Sequence, residues 1–261
     1  MTGCSLASEI EKDAMDWGYG MSQDLTRGQR FLDAFNRIET TLRERTRSDL
    51  KEAGFKELVR ASRDLVDSQK RRLLDMANLR NVIVHTPFDQ KNEIYADPRL
   101  SAVEWLEAQA ELIEKPPRVL DVLRLIPPRV LSFDDEIDQF LEEAKPPKDF
   151  SQSPFRTSNG DFGVITTNAV ARWLAAVYVP RDGLIVEPAH VGNVATYGEE
   201  QDRVLVKPRT LKVTDAIMYF SGVSHVPPVA ILLTESGRHS ESPLGICVRA
   251  DLPDFYRSLG V

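Results

Sequence analysis

Apolar residues recur at helical spacing through the first part of the chain. They lie three or four positions apart, with charged residues between them, at Phe31, Phe35, Ile38 and Leu42. The same period continues after Gly54 through Phe55, Leu58, Val59, Leu73, Met76, Leu79 and Ile83. A further helix is predicted over 102–113 and ends at Lys115-Pro116-Pro117, because proline cannot continue a helix interior. The pattern predicts four or five helices packed as a bundle.

The pattern changes after Pro117. Short runs rich in Val, Ile and Leu occur at 162–166, 183–186, 204–206 and 229–234, with turn residues around them and helical patterns between them. Strands that alternate with helices indicate an α/β layer architecture. We therefore predict an α + α/β protein, with an N-terminal extension over 1–25, a helical domain over 26–117 and an α/β part over 118–261.

One motif is used twice in the α/β part. Leu131, Asp135, Ile137 and Phe140 match Leu211, Asp215, Ile217 and Phe220 at a constant offset. At an offset only slightly different, Gly163-Val164-Ile165 matches Gly245-Ile246-Cys247, and Trp173 matches Phe255. Each copy is predicted as helix, strand, turn, strand, helix, with proline just before the middle strand (Pro154; Pro227-Pro228). The alternative is that any two α/β units look alike at this level of detail.

These paired units resemble CBS domains, which come in twos and form a pseudo-symmetric module with clefts between the copies. The resemblance implies a first copy over 118–180 and a second over 181–261. In many such modules the cleft binds an adenine nucleotide, through Gly, two apolar residues, Thr or Ser, two variable residues and Asp. Hydroxyl groups and helix N-termini suit phosphate, and a carboxylate suits ribose hydroxyls.

Each copy keeps only half of that pattern. The first, Gly163 to Ala169, has Thr166 but Ala where Asp is expected. The second, Gly245 to Asp251, has Asp251 but Val where the hydroxyl is expected. The resemblance implies nucleotide-binding roles for Thr166, Asn168 and Asp251. The alternative is a structural or dimerising module in which Thr166 and Asp251 cap helices.

The helix before Pro87 carries a cation, an amide and an imidazole in the run Arg80-Asn81-Val82-Ile83-Val84-His85. Residues four apart share a helix face, so Asn81 and His85 are predicted one turn from each other, with Arg80 within reach. Leu79, Val82 and Ile83 are predicted to face elsewhere and anchor the helix. Imidazole transfers protons near neutral pH, and guanidinium matches phosphate. Such a set suffices for metal-free RNA cleavage.

Arg, Asn, three apolar residues and His resemble the signature of HEPN domains, and the segment 31–39 resembles the early helix of that family. The resemblance covers about residues 26–115. It implies a helical bundle with metal-independent endoribonuclease activity in a defence or toxin system, often as a homodimer, with an acidic residue on the early helix paired to the motif Arg. Arg80 would be catalytic, His85 the acid/base group and Asn81 an orienting residue. The alternative is structural, because cations complement the dipole at helix ends and some HEPN domains are inactive.

Composition narrows the function classes. The 261 residues carry a formal charge of -7 and contain 42% hydrophobic and 28% charged residues, typical of a globular protein. The segment from Arg27 to Arg72 contains thirteen Lys or Arg and only eight Asp or Glu, so it is positively charged. This excess predicts either a track that binds phosphate groups or a solvated helix face of mixed charge. The residues concerned are Arg43, Arg45, Arg47, Lys70, Arg71 and Arg72. Two cysteines and an acidic N-terminus without an apolar run indicate the cytoplasm and no membrane segment.

The sequence thus favours a ligand-regulated, metal-independent endoribonuclease. No metal or catalytic cofactor is expected. An adenine nucleotide is the expected regulatory ligand, RNA the expected substrate and a homodimer the expected assembly. The alternative is a non-catalytic regulatory or scaffold protein, built on the CBS-like pair, that binds a nucleotide or a protein partner.

Overall fold

A computed structural model describes residues 25–46, 50, 52–84, 97–148, 150–179, 183–184, 189–222 and 226–261. The helices, in chain order, are α1 Arg27–Arg45, α2 Phe55–Ala61, α3 Asp67–Val84, α4 Leu100–Glu114, α5 Val119–Val122, α6 Asp138–Ala144, α7 Thr167–Val177, α8 Val191–Ala195, α9 Val213–Ser221 and α10 Leu252–Ser258. The strands are β1 Leu131–Ser132, β2 Gln152–Arg156, β3 Phe162–Thr166, β4 Tyr178–Val179, β5 Gly183–Leu184, β6 Val204–Pro208, β7 Ala230–Thr234 and β8 Gly245–Val248. Within these residues no helix is both long and apolar enough to cross a bilayer.

The predicted helical half is confirmed. Among the described residues it contains α1 to α4, and α1 packs along α4. α1 begins with a capping box between Thr26 and Gln29, which satisfies backbone N–H groups that have no partner inside the helix. The apolar spacing places one stripe of α1 in the core of the half, with the buried side chains Phe31, Ala34, Phe35, Ile38 and Leu42.

Two three-stranded sheets with the same topology build the α/β half. β1 is parallel to β2 and β2 antiparallel to β3, and β6, β7 and β8 repeat this arrangement. Gly163 pairs with Phe155 and Gly245 with Leu233, so the predicted match between Gly163 and Gly245 is confirmed. Pro154 does not precede the middle strand as predicted, since it lies inside β2 opposite Val164.

The start of the repeat lies in a different register from the predicted one. Backbone N–H groups of Ile137 and Val213 make equivalent bonds, to Ala189 O at 2.8 Å and to Pro117 O at 2.9 Å. Ile137 therefore corresponds to Val213, one helical turn before Ile217. The predicted match failed because a helix presents its buried face at every turn, so both registers place apolar residues against the core.

The two units exchange short segments. Val191 N donates to Asp135 O at 2.8 Å, and α8 contributes Val191 and Val194 to the core of the first unit. Val119 N donates to Leu211 O at 2.9 Å, and α5 contributes to the core of the second unit. A division of the chain between 180 and 181 is therefore too simple, because each unit takes in a segment from the other side of that boundary.

Polar contacts join the three parts. Arg156 of the first unit donates to Glu241 O at 3.0 Å and to His239 O in the second unit, and its guanidinium lies 3.6 Å from the centre of the Phe162 ring. The second unit meets the helical half through Lys212, whose Nζ lies 3.2 Å from Asp64 Oδ2. The helical half is thus attached directly to the second unit.

Candidate functional site

Arg80 and Asn81 line an open groove at the end of α3. Ala77 and Ile83, which are 4% and 1% exposed, fix this part of the helix in the core. Arg80 is half-buried and Asn81 exposed, and both border a groove of about 580 Å³ between α3, α1 and the start of α2. Two groups of the predicted set therefore lie together at the surface.

The third member, His85, lies outside the described residues. Val82 was predicted to anchor the helix, and this is wrong because its side chain is 59% exposed. Ile83 fills that role. Val84 is also 40% exposed, so the last turn of α3 presents apolar side chains beside the groove.

Further charged residues surround the groove. Glu39 of α1 borders it, and its Oε1 accepts from Arg43 Nη2 at 2.7 Å. Lys56 of α2 borders it as well and donates to Asn78 Oδ1 at 2.8 Å. Arg60 follows one turn later on α2. The sequence prediction did not single out Lys56 or Arg60, although their spacing of four along α2 places them on one face.

The predicted basic track is not one continuous surface among the described residues. Arg43 donates to Ala53 O at 3.1 Å as well as to Glu39, and Arg45 donates to Ile113 O at 2.6 Å. Arg72 stacks on Trp105 at 4.2 Å from the ring centre. Lys70 and Arg71 line a different cleft, and Arg47 lies outside the described residues. Arg43, Arg45 and Arg72 thus already have intramolecular partners.

Thr166 begins α7 as a capping residue. Its Oγ1 accepts from Ala169 N at 3.0 Å and donates to Asp202 Oδ2 at 3.2 Å, and the residue is only 4% exposed. Asp202, which the sequence analysis did not single out, lies in the connection between α8 and β6 and also accepts from Glu199 N at 3.0 Å. Asn168 is exposed on the first turn of α7.

Asp251 caps the start of a helical turn in the second unit. Its Oδ2 accepts from Val248 N at 2.8 Å, at the start of the 3-10 turn Arg249–Asp251 that leads into α10. Burial raises the pKa of this carboxyl above its usual value. Thr166 ends β3 and Asp251 follows β8, and these are the equivalent strands of the two units.

Metal ligands do not converge in the described part of the chain. No three side chains of His, Cys, Asp or Glu come together there in a way that could hold a metal ion.

Comparison with known proteins finds likeness only at the level of structure. No family model matches the chain, and no curated protein matches it. One solved structure that it resembles is a CBS domain-containing protein of unknown function from Bacillus anthracis str. Ames Ancestor, with 14% identity over 54% of this chain and 93% of the other, at a TM-score of 0.33. Another is CbpB in complex with c-di-AMP, with 10% identity over 60% of this chain and 93% of the other, at a TM-score of 0.37. Because both TM-scores are below 0.5, these likenesses carry no weight for the fold or the function of this chain.

Proposed function

We propose that this protein is a ligand-regulated endoribonuclease that needs no metal ion, with a HEPN-like helical domain that cuts RNA and a CBS-like pair that senses a nucleotide. The observation that carries the proposal is the position of Arg80 and Asn81, which border an open groove together with Glu39, Lys56 and Arg60. The lining holds three cations and an amide against the carboxylates of Glu39 and Glu57, so it can accept a phosphodiester from solvent.

The chemistry assigns one task to each motif residue. His85 removes the proton from a ribose 2′-hydroxyl, and that oxygen attacks the adjacent phosphorus atom. The bond from phosphorus to the 5′ oxygen breaks, this oxygen takes a proton from water, and His85 returns its proton to the solvent. The products are a 2′,3′-cyclic phosphate and a 5′-hydroxyl end. Arg80 stabilises the charge that develops on the phosphate oxygens, and Asn81 orients the phosphate. DNA lacks the attacking hydroxyl and is not a substrate.

A second copy of the chain would place two motifs side by side. Val82 and Val84 support this part of the proposal, because their side chains are 59% and 40% exposed directly beside Arg80 and Asn81. Large exposed apolar side chains next to a polar site favour a protein contact. A self-complementary contact across a two-fold axis brings the same residues of both copies together.

The CBS-like pair would control cleavage through its attachment to the helical half. Support comes from the repeated strand topology, the exchanged segments and the direct contacts of the second unit with Asp64. An adenine nucleotide is the proposed ligand, with Thr166, Asn168 and Asp251 as its proposed contacts. Binding would shift the population of two arrangements of the helical domains.

Cleavage in the presence of a chelator tests the enzyme. Purified protein is incubated with structured and unstructured RNA in EDTA, with and without adenine nucleotides, beside Arg80→Ala and His85→Ala. We expect cleavage with cyclic-phosphate ends, reduced at least about a hundredfold in either variant. Arg124→Ala, at an exposed cation outside the groove, is the matched control and cuts like the wild type. The proposal fails if wild type and His85→Ala cut equally, or if neither cuts with any nucleotide.

A non-catalytic regulatory or scaffold protein is the second candidate. The observation in its favour is that Thr166 and Asp251 already bind backbone N–H groups, as residues with a structural task do. Thermal shift with AMP, ATP and cyclic or linear dinucleotides separates the candidates. A ligand response without RNA cleavage supports the regulatory protein, and cleavage excludes it.

A further inference from the structure

A second cleft lies between the helical half and the second α/β unit. Its volume is about 790 Å³. One wall consists of the end of α2, the connection to α3 and the first turn of α3, and the other consists of α9 and α10. The size falls within the range of about 300–1,000 Å³ that is typical of small-molecule sites.

Four cations of the helical half line this cleft, namely Arg60, Arg63, Lys70 and Arg71. Among the described residues, none of the four has a carboxylate within ion-pair distance, and Lys70 Nζ donates only to Arg60 O at 3.3 Å. Asp67 is the carboxylate that shares the lining with them. Four positive charges against one negative charge give this lining a net positive charge, which attracts an anion.

The opposite wall is apolar and aromatic. Ile217 is buried, while Met218 and Tyr256 are 38% and 39% exposed, so a flexible thioether and a phenol ring face the cleft region from the second unit. Thr214 belongs to the same wall. It is only 6% exposed, and its Oγ1 has no hydrogen-bond partner among the described residues. A buried hydroxyl without a partner costs free energy, which a ligand oxygen can recover after a change of rotamer.

We propose that this cleft binds a small phosphorylated molecule that carries a ring system. Its phosphate groups contact Arg63, Lys70 and Arg71, and its ring lies against Met218 and Tyr256. Cations on one wall and apolar groups on the other match the two ends of such a molecule. The volume of the cleft suits one small ligand.

The occupant would touch both halves of the protein. Arg60 lines this cleft and also the groove of Arg80 and Asn81, so it lies between the two. A ligand here stabilises the arrangement of the halves in which both walls are in place. This binding does not depend on the proposed RNA cleavage, nor on the proposed nucleotide contacts at Asp251.

Calorimetric titration of the full chain tests the cleft. The probes are inorganic tripolyphosphate, which has no ring, and ATP. We expect both to bind, ATP more tightly, and the double variant Arg63→Ser with Arg71→Ser to raise both dissociation constants at least about tenfold. Arg124→Ser, at an exposed cation that does not line the cleft, leaves them unchanged. Tyr256→Ala weakens ATP but not tripolyphosphate.

Three results would overturn the proposal. One is that neither probe binds at millimolar concentration. Another is that the Arg63 and Arg71 variant binds both as the wild type does, while Asp251→Ala loses ATP, since the nucleotide then occupies only the α/β pair. The third is that RNA oligonucleotides bind and depend on Arg63 and Arg71 while ATP and tripolyphosphate do not, which would make the cleft part of an RNA path.

Discussion

Thr166 and Asp251 supply opposite halves of the same helix-capping arrangement. In the first unit, the side chain at the helix start, Thr166, accepts from the backbone N–H of Ala169 at 3.0 Å. In the second unit, the side chain three residues further on, Asp251, accepts from the backbone N–H of Val248 at 2.8 Å. Either bond satisfies an N–H group that the helix leaves without a partner. Each copy of the glycine-containing pattern thus keeps one residue that caps the helix after it.

Removal of either cap should destabilise the protein. We expect Thr166→Ala and Asp251→Ala each to lower the free energy of unfolding by about 0.5–2 kcal/mol, the usual cost of a lost cap. The Thr166 change should cost more, because Asp202 also loses a donor. Guanidinium denaturation measures both, and Asn168→Ala, at an exposed neighbouring position, should stay within about 0.5 kcal/mol of the wild type. Unchanged midpoints in both cap variants would contradict the capping role.

Glu241 should make the free energy of unfolding fall at acidic pH. Ser236 donates hydrogen bonds to this carboxylate from its hydroxyl, which has the larger effect, and from its backbone N–H. These bonds lower the pKa of Glu241 from 4.5 to about 2. Because the folded state favours the ionised form, this stabilisation is complete above about pH 4.5 and is lost as the pH falls towards 2. Denaturation between pH 2 and 6 should show a weaker decline in Glu241→Gln than in the wild type.

Arg156 offers a local readout of the loop that carries Glu241. Its guanidinium donates to the backbone oxygen of Glu241, so loosening of the loop should weaken the contact between the two units. We expect amide exchange of β2 and β3 to accelerate at low pH in the wild type. Equal acid dependence in the wild type and in Glu241→Gln would show that this carboxylate does not control the loop.

Local patterns predicted much of the fold, and contacts between distant segments could not be predicted. The helical half follows from the spacing of Phe31, Phe35 and Ile38, and the hairpin match of Gly163 with Gly245 follows from like residues in like strands. The exchange of segments around Val119 and Val191 depends on backbone hydrogen bonds and core contacts with residues far along the chain, which no local spacing predicts.

The same distinction between local patterns and distant contacts applies to the candidate site. Helix geometry alone brings Arg80 and Asn81 together at the end of α3. The groups around them belong to other elements: Glu39 comes from α1 and Lys56 from α2, and only the packing of these helices brings them to the groove. Asp202 was not predicted as the partner of Thr166 for the same reason, since it reaches α7 from a connection far along the chain.

Cys247 should be unreactive while the protein is folded. It lies in β8 with 0% exposure, and burial raises the pKa of its thiol far above the usual value, so almost no thiolate forms. In Cys4→Ser, which leaves Cys247 as the one cysteine of the chain, we expect Ellman's reagent at pH 8 to react only at the rate of unfolding. Denaturant should release the full thiol at once. Fast labelling of the folded variant would contradict the burial of β8.

Gln109 should hold the helical half to the second unit. It is fully buried, its Nε2 donates to Leu259 O at 3.1 Å, and its Oε1 accepts from Gln69 Nε2 at 2.8 Å. Gln109→Leu keeps the approximate volume but leaves the Leu259 carbonyl and the Gln69 amide poorly satisfied. Each buried polar group without a partner costs about 1–3 kcal/mol, so we expect a loss in that range or above it.

The same change should separate the unfolding of the two halves. Trp105 belongs to the helical half and Trp173 to the first α/β unit. In a Trp17→Phe background, which removes the third tryptophan of the chain, replacing either of these two by Phe leaves one fluorescence probe, in the other half. In the wild type we expect both probes and circular dichroism to report one transition, and in Gln109→Leu we expect them to diverge because the shared interface is weakened. Gln139→Leu is the matched control, because within the described part of the chain the side chain of Gln139 bonds only to Arg129. Coincident and unshifted transitions in Gln109→Leu would show that the halves are coupled elsewhere, for example through Lys212 and Asp64.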